Sequence, residues 1–284
     1  VTERIDVHVH VYEQEVARRA LLNIRAFRAA HGIVGVEISE DGTPEHLLRE
    51  MERLGITRSV VQTVVTRPDV MRKINAWTAA TLKTSGGKLL GFGGIHPLAP
   101  ASDIDDEIKR FRNEYGFCGI KLHPTMQGFD PTGRHARRVY DRAARAGLAV
   151  LIHPDHRTSW RFHGGNAEHV LTHEKLCALI EEHPGLPLVA SHLGARHSER
   201  LEAAVKASPS AWLDLAIVKI FYPEGPAVLV DTIRRFGVER VLFGSDFPFW
   251  PQDAALSYLD KMIDLTPDER RAIEVENPRR FLGL

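Results

Sequence analysis

Two runs decide the fold: Phe117-Cys118-Gly119-Ile120-Lys121-Leu122-His123 and Ala149-Val150-Leu151-Ile152-His153. Both are short, β-rich and closed by a histidine. Gly147 fits the left-handed stop of a helix lying between them. The same unit repeats in both directions along the chain. Comparable runs lie near residues 4–10, 59–65, 89–96, 188–192, 212–216 and 241–246, and a helical pattern fills each gap. Thr43-Pro44 and Thr266-Pro267 place a capping residue before proline at a first helical position, and Glu269 completes a capping box with Thr266. Ser102 with Asp105 reads as an N-cap ahead of an apolar stripe of Ile104, Ile108 and Phe111. Strand then helix, eight times over, argues for a parallel sheet covered by helices, and eight units argue for closure. The expectation is an α/β protein, a TIM-like (β/α)8 barrel, as a single domain over 1–284. Two long excursions, about 11–55 and 154–185, follow the first and fifth strands. They are expected to lie over the barrel mouth.

Composition bounds the function. Lys plus Arg equals Asp plus Glu at 37 each, so nothing basic invites nucleic acid. The expected partner is a small molecule. No apolar run is long enough to cross a membrane, and two cysteines, Cys118 and Cys177, cannot frame a disulfide fold. A reducing, cytoplasmic setting is the simple reading, with both thiols buried and inert.

The chemistry sits at the strand ends. In Asp6-Val7-His8-Val9-His10 residues two apart point the same way, so His8, His10 and Asp6 are expected on the barrel interior, with Val7 and Val9 on the other face. Two adjacent interior imidazoles mean either hydrogen-bonded core histidines or metal ligands. Lys121 and His123, His153, His192 and Asp246 end other strands, and all these ends converge on one mouth. That convergence favours the metal. His96 ends the third strand and is expected to line the pocket. His156, Arg157, Trp160, Arg161 and His163 crowd the loop after the fifth, offering cations and an aromatic wall to a carboxylate or phenolic substrate. Asp214 shares a face with Trp212 and Ala216, and either points inward or pairs with a cation. Phe249 and Trp250 are expected to form an apolar rim.

With these residues in place the chain resembles the amidohydrolase superfamily. It is most similar to the amidohydrolase-related branch that includes aminocarboxymuconate-semialdehyde and resorcylate decarboxylases. The motifs are Gly119-Ile120-Lys121-Leu122-His123-Pro124, Ser191-His192-Leu193-Gly194, Gly244-Ser245-Asp246-Phe247-Pro248 and Asn277-Pro278-Arg279-Arg280-Phe281-Leu282. The resemblance implies one divalent metal, Zn²⁺ first, held by His8, His10, His153 and Asp246. Such a donor set also accepts Mn, Fe, Co or Ni. It implies His192 as acid, base or orienting group, and Asp246 as a proton acceptor. Lys121 is either carboxylated, bridging a second metal, or a free ammonium that binds a substrate carboxylate; the branch favours the free form. A homodimer is implied by the same likeness.

Hydrolysis of a small ester, lactone or amide by metal-activated water leads these expectations. Non-oxidative decarboxylation of an aromatic or unsaturated acid on the same ligands is the rival. Two other classes are a metal-free Schiff-base aldolase built on Lys121 and a non-catalytic ligand-binding barrel. Both leave His8, His10, His153 and Asp246 without a task.

Overall fold

Eight parallel strands follow one another around the sheet in chain order: β1 (Ile5–Val9), β2 (Arg58–Gln62), β3 (Leu89–Gly94), β4 (Gly119–Leu122), β5 (Ala149–Ile152), β6 (Leu188–Ala190), β7 (Ala211–Asp214) and β8 (Val241–Leu242). The structure is a computed structural model and describes residues 3–154, 166–262 and 264–284. The segment after β8 returns to β1 through a Val9–Phe247 bridge. Val7 N also donates to Phe243 O at 2.9 Å and Asp246 N to His8 O at 2.8 Å, which closes the barrel. The chain is thus a TIM barrel in one domain. The histidine-ended runs predicted as strands stop short of their histidines. His123, for example, leaves the ladder to cap the Pro124–Gln127 helix with its side chain.

Strand alternation sorts the apolar residues into two layers. Ile5, Val7, Val60, Phe92, Leu151, Val189, Trp212 and Leu242, drawn from seven strands, pack on one another inside the barrel. On β4 the matching position is Gly119, where a Cβ would lie 2.4 Å from the Phe92 ring. Glycine is required there because Phe92 already fills the space. Phe281, from the closing helix Asn277–Leu282, seals the floor with its ring 5.6 Å from Trp212 and 6.2 Å from Phe92. Burying a ring such as Phe92 stabilises the fold by roughly 1.5–3 kcal/mol. The outer faces of the strands, Val61, Ile120, Leu122, Val150, Ile152 and Leu213 among them, pack under the helices.

The capping signals hold where they rest on threonine and glycine. Thr43 caps Pro44–Leu54 through His46 N, Thr266 and Glu269 form the capping box, and Gly147 stops its helix at φ 63°. Ser102 does not cap. The helix after β3 starts at Ala101 behind Pro100, and the Ser102 hydroxyl sits 3.3 Å from Asp103 instead. Asp105 pairs with Arg142. Ile104, Ile108 and Phe111 are buried as the stripe requires. Cys177 is buried and Cys118 half-buried, its thiol pushed up to about 12 by burial. Among the described residues no helix is long and apolar enough to cross a membrane.

One departure from alternation matters for the site. Between Asp6 and Val9 the first strand advances three residues while β2 advances two, from Ser59 to Val61. This is a β-bulge, and it flips the parity of the strand beyond it. Val7 therefore belongs to the interior layer and Val9 to the outer one. Asp6, expected on the face of the histidines, points outward. It accepts from Ser245 N at 3.0 Å and from Gln252 Nε2 at 2.8 Å, Gln252 opening the helix Gln252–Asp260.

Candidate metal centre

Beyond the bulge, His8 and His10 both face the mouth. His8 Nδ1 lies 2.9 Å from Asp214 Oδ2, and His10 Nδ1 lies 2.7 Å from Gln62 O. Both partners are acceptors, so each imidazole carries its proton on Nδ1 and presents a bare Nε2. Burial, followed by the charge of Lys121, holds His8 well below its ordinary range, which keeps the ring neutral. The two Nε2 atoms are 3.3 Å apart. Asp246 Oδ1 stands 3.5 Å from the first and 3.2 Å from the second. Asp246 reaches this place from a left-handed backbone conformation, φ 74°.

Three buried acceptor atoms thus converge, all within 4.8 Å of one another. Lone pairs facing lone pairs are repulsive unless something positive lies between them. Lys121 Nζ reaches His8 Nε2 at 3.2 Å. With the His10 proton on Nδ1, His10 Nε2 and Asp246 Oδ1 face each other at 3.2 Å as two acceptors. Burial lowers Lys121 to about 8, against the pull of Asp246 and Asp214; its bond goes to His8 Nε2, so it answers one of the three acceptors. Two imidazole nitrogens and a carboxylate oxygen are the donor chemistry of a divalent transition metal. The residues fit such an ion.

His153 is not among the three. Its Nδ1 lies 2.9 Å from His192 Nε2, and its ring stacks on His123 with centroids 3.9 Å apart. His192 Nδ1 is 2.7 Å from Ala216 O and must donate there, so His192 Nε2 accepts and His153 Nδ1 donates. That assignment leaves the lone pair of His153 on Nε2. Burial lowers His192, consistent with a neutral ring. Asp214 joins both halves of the mouth: Oδ2 takes His8, while Oδ1 accepts His192 N at 2.8 Å and Ala216 N at 3.1 Å. Burial raises its carboxyl even so.

The remaining candidates separate. His123 Nδ1 accepts from Thr125 Oγ1 at 3.2 Å and Met126 N at 3.4 Å. His96 is buried, but its Nδ1 serves Leu98 N in its own loop at 3.3 Å. His156, Arg157, Trp160, Arg161 and His163 lie outside the described residues. Phe249 does form a rim, its ring 5.5 Å from His10 and 6.3 Å from Tyr12. Trp250 does not. It is buried against Tyr258 on the outside of the barrel, because the chain turns there into the Gln252–Asp260 helix. Tyr12 was not foreseen; it stands almost parallel to His10, ring centroids 6.4 Å apart. An aromatic two residues beyond the histidine pair was the available signal.

The amidohydrolase family model matches residues 5–284. A γ-resorcylate decarboxylase of Rhodococcus jostii is 24% identical over 271 residues, which span 77% of this chain and 81% of the relative. Among solved structures, 5-carboxyvanillate decarboxylase of Novosphingobium aromaticivorans, complexed with manganese and 4-hydroxy-3-methoxy-5-nitrobenzoic acid, superposes with a TM-score of 0.70 at 16% identity, covering 99% of this chain and 96% of that one. A probable 2-pyrone-4,6-dicarboxylic acid hydrolase of Acinetobacter baumannii, with citric acid bound, gives 0.69 at 13% identity, covering 99% of each chain. With a family model spanning nearly its whole length, the chain belongs to the amidohydrolase family.

Proposed function

We propose that this protein is a metal-dependent carboxy-lyase that releases CO₂ from a small hydroxylated aromatic acid. The observation that carries the reading is the convergence of His8 Nε2, His10 Nε2 and Asp246 Oδ1 with their protonated nitrogens turned away. His8, His10 and Asp246 form the core of the site, and His153 completes it through Nε2. A divalent metal bound there supplies positive charge for substrate oxygens and for the negative charge that develops in the reaction. Zinc suits the donors. The manganese in the carboxyvanillate decarboxylase makes that ion an equal candidate. Lys121 stays uncarboxylated beside a single metal, where its ammonium pairs with the substrate carboxylate.

His192 Nε2, unprotonated and accepting from His153 Nδ1 in the resting site, exchanges that bond for the substrate hydroxyl, takes the phenolic proton and returns it to the ring carbon that bears the carboxylate. The ring–carboxylate bond then breaks, its electron pair stays on the ring, CO₂ departs, and the phenolate is reprotonated on release. Tyr12 and Phe249 give the aromatic ring a wall. In this reading the part of 11–55 ahead of the Pro44–Leu54 helix covers the mouth, while residues 155–165 of the second excursion lie outside the described residues.

Hydrolysis led the sequence expectations, and the curated relative now supports decarboxylation ahead of it. The likeness to the pyrone-dicarboxylate hydrolase keeps hydrolysis as the second reading, because the same mouth can present a water. Purified protein offered hydroxybenzoates should release CO₂, lose that activity to a chelator and regain it with Mn²⁺ or Zn²⁺. Acid release from lactones with no CO₂ from any hydroxybenzoate would reverse the order. Full activity in metal-free protein would end both.

A further inference from the structure

The parity of β1 poses a problem that the bulge solves. Val7 is an interior residue. Regular alternation from Val7 would send His8 outward, Val9 inward and His10 outward, and the site would not exist. The extra residue between Asp6 and Val9 turns both imidazoles inward. A bulge interrupts the ladder, so it needs partners from elsewhere. Asp6 Oδ1 accepts from His8 N at 3.1 Å and from Ser245 N at 3.0 Å, so one oxygen ties the amide of one candidate ligand to the amide just before the other, Asp246. On the opposite side, Gln62 Nε2 donates to the Val7 carbonyl at 2.8 Å, while Gln62 O orients His10. Both side chains are buried, and neither belongs to the acceptor cluster.

We propose that Asp6 and Gln62 are positioning residues whose side chains hold the β1 bulge and thereby aim His8 and His10 at Asp246. The inference rests on the metal reading above. A purely structural role would cost stability and leave the metal affinity of the folded protein alone; a positioning role changes that affinity.

Two substitutions separate these outcomes. In Asp6→Asn the amide oxygen keeps both backbone bonds, and the new Nδ2 faces Gln252. Gln252 Oε1 has no partner among the described residues, so its amide turns over to accept. Gln62→Met keeps length and volume but removes the donor to Val7 O. It also removes Gln62 Oε1, a buried acceptor without a partner among the described residues, which limits the loss of stability.

The test loads full-length protein with Co²⁺, reads the ligand-field spectrum, and measures affinity by competition with a chromophoric chelator. Circular dichroism reports the folded fraction. Asp6→Asn should match the wild type. Folded Gln62→Met, and Asp6→Ala where it folds, should bind Co²⁺ about 10–100-fold more weakly with an altered spectrum. Wild-type affinity and spectrum in folded Gln62→Met overturn the proposal, and so does an Asp6→Asn protein as weak as Gln62→Met. A wild-type protein that takes up no Co²⁺ removes the metal reading itself, and this inference with it.

Discussion

The two halves of the barrel mouth are built from the same residue type and do opposite things. Around β8, β1 and β2, His8, His10 and Asp246 meet acceptor against acceptor, because Asp214 and the Gln62 carbonyl hold the imidazole protons on the far side. Around β5 and β6, donor meets acceptor: His153 Nδ1 gives to His192 Nε2, and His192 Nδ1 gives to Ala216 O. The first arrangement is unfavourable without a cation. The second is satisfied as it stands and suits moving a proton. A histidine's role is thus set by what its other nitrogen touches, which sequence spacing does not report.

That contrast is broken most forcefully at Asp246. Asp246→Ala should abolish metal retention and lower kcat/KM by about a thousandfold or more, since several kcal/mol of charge stabilisation go with the ion. The fold should persist, because the change relieves crowded acceptors. Normal metal content by elemental analysis would erase the difference between the halves. His192→Gln probes the other half. Activity should fall by about 10²–10⁴-fold with metal content unchanged, and loss of metal would move His192 into the acceptor half. His153→Ala sharpens the border. As the proposed fourth ligand it should weaken metal binding on loss, by less than Asp246→Ala does; an untouched affinity would assign His153 wholly to the proton-moving half.

Much of this was legible from the residues. Eight β-rich runs alternating with helical patterns implied the barrel, and the polar ends of several of them implied a common mouth, where Lys121 is found beside His8. What failed was alternation carried through the bulge. Asp6 was expected inward and Val7 outward, and both are reversed, because an extra residue is invisible without the partner strand. Asp214 was placed on one face with Trp212 and Ala216, with an inward position or a cation partner both left open, since strand position gives no distance. Trp250 was misplaced because the turn after Asp246 swings it behind the sheet. The Ser102 cap failed at a boundary, where Pro100 started the helix first.

The smallest expected effect isolates the tautomer argument. Asp214 Oδ1 is committed to two backbone donors, His192 N and Ala216 N. In Asp214→Asn the amide oxygen must stay with them, so Nδ2 takes the place of Oδ2 opposite His8 Nδ1. A donor then faces a donor. His8 relieves this by moving its proton to Nε2, the atom it shows to the metal, and a protonated nitrogen cannot ligate. Volume and fold are kept, so melting should change little. Metal affinity should drop by about 10–100-fold, and the loss should carry through to activity at limiting metal but recover at saturating metal. Affinity indistinguishable from wild type would mean that His8 does not depend on Asp214 for its bare nitrogen. The distinction drawn between the two halves of the mouth would then lose its physical cause.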